Sequence, residues 1–227
     1  MAQSKTKEEI RQENIESGVS KVEEIYNKYK KVIWGVLAGI VAVVGVYILI
    51  HQFVYLPKCA EAQQQAYPAE QSFMAGDWQT ALNGDGNAMG FADIIDEYGT
   101  KSGKDVYLYA GICSLQMGNY EEAVSYLKKY DGKDDILKAR AQACLGDAYA
   151  GLEEYGKAVS CFKKAAAVKD NVYAAGYLMK EALVYEKLGQ NDKALACYET
   201  IKDKYPQSYE GFSIDKYIAR IKAAAEE

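Results

Sequence analysis

Four times along this chain a turn is followed by the same short signature, the last three times at a nearly constant interval. The three later copies are Gly118-Asn-Tyr120-Glu-Glu-Ala123, Glu153-Glu-Tyr155-Gly-Lys-Ala158 and Gly189-Gln-Asn191-Asp-Lys-Ala194, with alanines 35 and 36 residues apart. An earlier copy reads Gly76-Asp-Trp78-Gln-Thr-Ala81. A period of this length predicts stacked units, none of which can bury its apolar face alone. Each copy reads as a turn followed by a helix, usually with an aromatic at its start. The helix before each of the three later turns carries a small residue at its crossing point: Gly111, Gly146 and Ala182. The helix after it carries a bulky one: Leu127, Phe162 and Tyr198. Small residues let paired helices cross closely, and bulky ones fill the wedge between successive pairs. Only three prolines occur, at 57, 68 and 206, against 20 tyrosines. The chain is therefore expected to be all-α.

The pattern resembles the tetratricopeptide repeat, a helix–turn–helix unit. Leu145, Gly146, Tyr149, Tyr155, Ala158, Phe162 and Ala165 match it position for position, as do Ala182, Tyr185, Gly189, Ala194, Tyr198 and Pro206. The resemblance implies an α-solenoid of about four units over residues 58–206. A final helix, Ser208–Ala225, with Tyr217, Ile218 and Ile221 on one face, reads as a C-terminal capping helix. The first unit departs from the pattern, because Ala81 and Ala123 stand 42 residues apart. The excess is Asn83-Gly-Asp-Gly-Asn87, placed before an apolar helix Phe91–Tyr98. It reads as a Gly/Asn turn that redirects the chain. A calcium loop fits poorly: Ala88 stands where that loop needs glycine, and Ile94 where it needs its bidentate glutamate.

Val32–Ile50 is an uncharged apolar run that follows Lys28, Lys30 and Lys31. Nineteen residues at about 1.5 Å rise span roughly 28 Å. That matches the roughly 30 Å hydrocarbon core of a bilayer. The run starts too far in, and is too long, for a signal peptide. Leu56-Pro-Lys-Cys59 lacks the small residues of a lipoprotein cleavage box. Seven Lys/Arg precede the run and Lys58 alone follows closely, which predicts a cytoplasmic N-terminus. The expected division is a cytoplasmic juxtamembrane segment 1–31, a transmembrane helix 32–55 and an extracytoplasmic repeat domain 56–227. Trp34, Tyr47 and Tyr55 fall near the two interfaces, and so does His51. Upstream, Ile15, Val19, Val22, Tyr26, Tyr29 and Ile33 recur at helical spacing. Within the run, Gly35, Ala38, Gly39, Ala42 and Gly45 share a face that would admit another helix closely.

The net charge is −5, and the first 31 residues carry seven positive against six negative side chains, so the remainder is −6. An acidic domain of this kind is unsuited to nucleic acid. His51 is the single histidine. The cysteines, at 59, 113, 144, 161 and 197, form no Cys-x-x-Cys or zinc spacing. Of these, Cys113, Cys144, Cys161 and Cys197 read as small buried residues on helices, and Cys59 as the free thiol. No nucleophile–base pair, phosphate loop or metal constellation appears, so neither catalytic nor metal residues, nor a cofactor or small-molecule substrate, are expected. What remains is a surface. In the repeat family the first helix of each unit lines a groove, which maps here onto Asp105, Leu108, Ile112, Leu115 and Gln116. The next units contribute Arg140, Ala143, Asp147 and Ala150, then Met179, Leu183, Glu186 and Lys187. The family's Lys/Asn/Arg carboxylate clamp is absent from these positions. The apolar members suggest that a helix or an extended segment docks there, or that the chain's own final helix fills the groove.

The layout of lysine-flanked span and outer repeats, with Gly76-Asp-Trp78-x-x-Ala81-Leu82 and Tyr205-Pro206-x-Ser208, resembles the ancillary SecYEG translocon subunit family (the YfgM type) of Gram-negative bacteria. That resemblance implies a non-enzymatic adaptor in the inner membrane, N-terminus cytoplasmic and repeats periplasmic. It would sit beside the translocon and hand emerging polypeptides to periplasmic chaperones. Two other readings are a scaffold for envelope or outer-membrane assembly, and a regulator that sequesters a cytoplasmic factor through residues 1–31.

Overall fold

The computed structural model describes residues 7–168 and 172–224. Among them every regular element is helical and no strand occurs. The chain divides into two compact units, Met1–Pro57 and Lys58–Glu227.

The first unit is helix α1, Lys7–Ile50, followed by a π-helical turn, His51–Tyr55. Every large apolar side chain from Val32 to Leu56 is exposed within this unit. It is the one helix among the described residues long and apolar enough to cross a membrane. The Trp34 indole donates to the Tyr26 hydroxyl at 3.2 Å. His51 stacks on Tyr55 at 5.2 Å between ring centroids, with Tyr47 at 6.0 Å. The stripe read at Ile15, Val19 and Val22, and the basic residues Lys5, Lys7, Arg11 and Lys21, have side chains outside the described residues.

The second unit is a run of helix pairs. α2 (Leu56–Met74) leads to α3 (Trp78–Asn83) and α4 (Phe91–Tyr98). Then come α5 (Asp105–Gln116) with α6 (Tyr120–Leu127), α7 (Asp135–Gly151) with α8 (Tyr155–Ala166), and α9 (Ala174–Lys187) with α10 (Asn191–Lys204). α11 (Ile214–Ala224) ends the described chain.

The four signature turns share one hydrogen-bond geometry. The amides of Gly76, Gly118, Glu153 and Gly189 bond the carbonyls three residues back: Phe73, Leu115, Ala150 and Glu186. The next amides, of Asp77, Asn119, Glu154 and Gln190, bond those five back: Ser72, Ser114, Tyr149 and Tyr185. This is the Schellman closure, which satisfies the last carbonyls of a helix and needs a left-handed residue just past its end. Glycine supplies that conformation three times. Glu153 adopts it too, at φ 59°, the single positive-φ residue other than glycine among those described.

The packing follows the same repeat. The signature alanines Ala81, Ala123, Ala158 and Ala194 are all 0 % exposed. A Cβ on Gly111 would lie 2.5 Å from Leu127 Cγ, and one on Gly146 would lie 2.6 Å from Phe162 Cε1. An added methyl at either crossing would force the facing side chain to shift. Ala182 and Tyr198, the equivalent pair in the last unit, are both fully buried. The Tyr120 ring continues the wedge into the next unit, where a Cβ on Gly151 would come within 2.6 Å of it. The buried apolar residues form three clusters in succession along the stack. A solenoid core of this kind grows by neighbour contacts.

The insertion in the first unit splits its second helix into α3 and α4. The Asp85 carboxylate accepts from the amides of Asn87 at 2.9 Å and Ala88 at 2.8 Å, which holds its pKa below the ordinary value. A Cβ on Gly90 would lie 2.2 Å from Leu82 O, so the chain doubles back through glycine backbones in direct contact.

The cap differs in one respect from expectation. The helix expected from Ser208 begins at Ile214. The Ser208 hydroxyl donates to Tyr205 O at 2.8 Å and accepts from the Gly211 amide at 3.0 Å. This local bonding diverts the backbone into a 3-10 turn at Gly211–Ser213 before the helix can start. Ile214, Ile218 and Ile221 then bury against α10, with Tyr217 packed beside them. Ala225 lies outside the described residues. Cys113, Cys144, Cys161 and Cys197 are buried, Cys59 is half-buried, and all five thiols are free.

Candidate functional site

The groove expectation placed the first helices α5, α7 and α9 on one face. The structure separates their residues into core and surface. Leu108 and Ile112 are 1 % and 5 % exposed and belong to the central core, as does Ala143. They are not a docking surface, which corrects the reading of α5 as a source of open apolar contacts. The cause lies in α5 itself, where Val106, Leu108, Ala110, Ile112 and Cys113 are all buried. A helix covered on almost every side carries no periodic signal for which apolar residue stays open. A charge placed at Leu108 would unfold the unit instead of probing binding. Leu115 and Met179 are half-buried, packed on the cores beneath them. Asp105, Gln116 and Arg140 are exposed. Asp105 lines a separate recess of about 490 Å³ at the α6–α7 turn, where Lys104 pairs with Asp131 at 2.5 Å.

The members that do converge lie on the last unit. Ala150 from α7, Leu183, Glu186 and Lys187 from α9, Tyr155 from α8 and Arg220 from α11 line a recess of about 600 Å³, with Val184 in its wall. That size suits a side chain or a short peptide segment. Leu183 is 43 % exposed within it. Arg220 Nη2 donates to both Glu186 oxygens, at 2.7 and 2.6 Å. The Tyr198 hydroxyl donates to the same carboxylate from below. The Arg220 guanidinium also lies 5.2 Å from the centre of the Tyr217 ring. Glu186 is thus committed to neighbours within the chain.

Asp147 is committed in the same way. Lys180 Nζ lies 2.5 Å from its carboxylate, and Lys180 also sits over the Phe162 ring. Burial pushes the Asp147 carboxyl above the ordinary value, while Lys180 and Arg140 pull it back down. The two bridges connect successive units, Asp147 and Lys180 standing 33 positions apart and Glu186 and Arg220 34. On that spacing α11 occupies the place of a first helix in the repeat. Lys180, Tyr155 and Arg220 were absent from the expected set. Opposite charges one repeat length apart were the available signal.

A third recess, of about 320 Å³, opens between α8 and α10, lined by Lys163, Leu178, Glu181, Cys197, Thr200 and Lys204 among others. Glu181 is 5 % exposed. Burial raises its carboxyl pKa, against Lys163 and hydrogen bonds from Cys197 and Tyr185. Burial likewise pushes the Cys197 thiol up to about 12, so it is no nucleophile near neutrality. Among the described residues no group of three or more His, Cys, Asp or Glu is placed to hold a metal ion.

Comparison with known proteins agrees with this geometry. Tetratricopeptide-repeat models match residues 105–131, 139–171 and 177–208. An uncharacterized protein of Aquifex aeolicus (strain VF5) is 34% identical over 96 residues, covering 42% of this chain and 52% of its own length. The chain therefore spans about half the length of that curated relative. The crystal structure of MamA protein superposes with a TM-score of 0.53 at 22% identity, over 73% of this chain and 88% of that one. A Podosopora anserina structure of nearly identical TPR-like repeats gives a TM-score of 0.55 at 14% identity, over 74% and 88%. At these identities the likeness is one of fold. The repeat matches and the structural neighbours together support a stack of tetratricopeptide-like repeats.

Proposed function

We propose that the chain is a single-pass membrane-anchored adaptor whose repeats bind protein partners outside the cytoplasm. In this reading α1 crosses the bacterial inner membrane with the N-terminus cytoplasmic, and Lys58–Glu227 works in the periplasm beside the Sec translocon and its chaperones. The carrying observation is the pairing of two surfaces. The apolar flank from Val32 to Leu56 is exposed along its whole length, and an apolar helix left in water would be costly. The repeat stack supplies a recess of about 600 Å³ with an apolar wall. Lysine asymmetry around the span supports the orientation. The small-residue face Gly35, Ala38, Gly39, Ala42 and Gly45 supports packing against another membrane helix. Nothing within 4 Å would meet a Cβ on Gly35, Gly39 or Gly45.

Photo-crosslinking in intact cells, followed by affinity capture from detergent-solubilised membranes, tests this. Recovery of translocon subunits together with periplasmic chaperones is expected. Recovery of a soluble cytoplasmic factor alone, or of outer-membrane assembly machinery alone, would overturn it.

A further inference from the structure

The recess between the last complete unit and α11 has a charge of its own, distinct from the rest of the domain. Its charged lining is Glu186, Lys187 and Arg220. Both Glu186 oxygens are occupied by Arg220, and one of them by Tyr198 as well, so this carboxylate has little capacity left. Arg220 uses only Nη2 in that contact, which leaves the donors on Nη1 and Nε. The Glu186 contact and the Tyr217 ring fix the guanidinium plane. Among the described residues no carboxylate lies within ion-pair distance of Lys187. The recess thus presents two cations with spare donors around an apolar wall of Ala150, Leu183 and Val184. It does so in a chain whose residues after 31 sum to −6. The charge runs opposite to its surroundings, which is the property that selects a partner by complementarity.

We infer that this recess takes an apolar side chain flanked by carboxylates, from an internal acidic segment of a protein partner. Leu183, with Ala150 beside it, receives the apolar group, Lys187 pairs with one flanking carboxylate, and Arg220 donates to the other through its free edge. Glu186 is a positioning residue that holds Arg220 in place. The inference deepens the adaptor reading and rests on it.

The test measures fluorescence anisotropy of labelled, end-blocked peptides with the full chain in detergent micelles. Three peptides are compared, identical except that a central leucine is flanked by aspartates, asparagines or lysines. The aspartate peptide is expected to bind about tenfold more tightly than the asparagine peptide at low salt, with the preference shrinking as salt rises. The lysine peptide is expected to bind most weakly. Lys187→Gln should reduce that preference several-fold while leaving affinity for the asparagine peptide and the helical content unchanged. Leu183→Asn should weaken the aspartate and asparagine peptides alike. Equal affinity for all three, no measurable binding of any, or a preference untouched by Lys187→Gln would each overturn the inference. If crosslinking finds the expected partners while the peptides show no charge preference, the recess assignment fails alone. If the peptides discriminate but no envelope partner is captured, the adaptor reading fails and the recess stands.

Discussion

Gly146→Ala probes the helix crossing on which the stack depends. A Cβ at this position would sit 2.6, 2.8 and 2.9 Å from three ring carbons of Phe162. Two effects oppose each other. Alanine is favoured over glycine within a helix by about 1 kcal/mol. Forcing a methyl into a packed core costs about 1–3 kcal/mol. The steric effect wins here because the ring has nowhere to go: Phe162 is 1 % exposed and lies within the central core. A net loss of about 1 kcal/mol is expected. Gly156 on α8 provides the control, since nothing lies within 4 Å of its Cβ. There the propensity gain acts alone, and Gly156→Ala should stabilise by up to about 1 kcal/mol. The two substitutions share their chemistry and should differ in sign. Urea unfolding of the full chain in micelles, followed by far-UV circular dichroism, measures both. Gly146→Ala in a Phe162→Leu background should cost less than alone, because the smaller side chain yields the space. If Gly146→Ala stabilises as Gly156→Ala does, the ring does not pin the crossing and the close-approach argument is wrong.

Two further outcomes follow from single residues. Burial holds the Glu181 carboxyl above its ordinary value of 4.5, so the folded protein keeps that proton to higher pH than the unfolded chain. The resulting stability is complete below the unfolded pKa and declines as pH rises through the folded one. Glu181→Gln removes this dependence, so the stability of wild type relative to the variant should fall as pH rises above the ordinary value of 4.5 in a denaturation series; a flat difference would refute the burial argument. Glu153 occupies a left-handed conformation, which costs a residue with a Cβ about 1–2 kcal/mol. Replacement by glycine returns part of that to unfolded-chain freedom, about 0.4–1 kcal/mol. Glu153→Gly should therefore stabilise by roughly 0.5 kcal/mol, read as a higher urea midpoint, and a lower midpoint would contradict the shared turn geometry.

Much of the repeat architecture was legible in the chain because its demands are local and steric. An alanine at 0 % exposure, a glycine facing Leu127 or Phe162 and a left-handed residue ending a helix each restrict the residue type allowed at one position. Repetition of those restrictions at a fixed interval made the fold class readable. The apolar stretch after Lys31 was legible as one long helix for the same reason, since its uncharged length is written in consecutive residues.

The surface was decided elsewhere. Leu108 and Leu183 are the same residue type on equivalent first helices, yet one is buried and the other open, because covering depends on which neighbours pack over each. Asp147 and Glu186 looked available in sequence but are held by Lys180 and Arg220, whose reach is set by the stacking of successive units. The start of α11 turned on whether the Ser208 hydroxyl bonds its own backbone, a competition of small energies that composition does not resolve. Sequence alone determined the helix pairs and their repeat, since those rest on contacts between residues close along the chain. Only the tertiary structure decided which side chains remain free to meet a partner, since exposure is what is left after every neighbour has been placed.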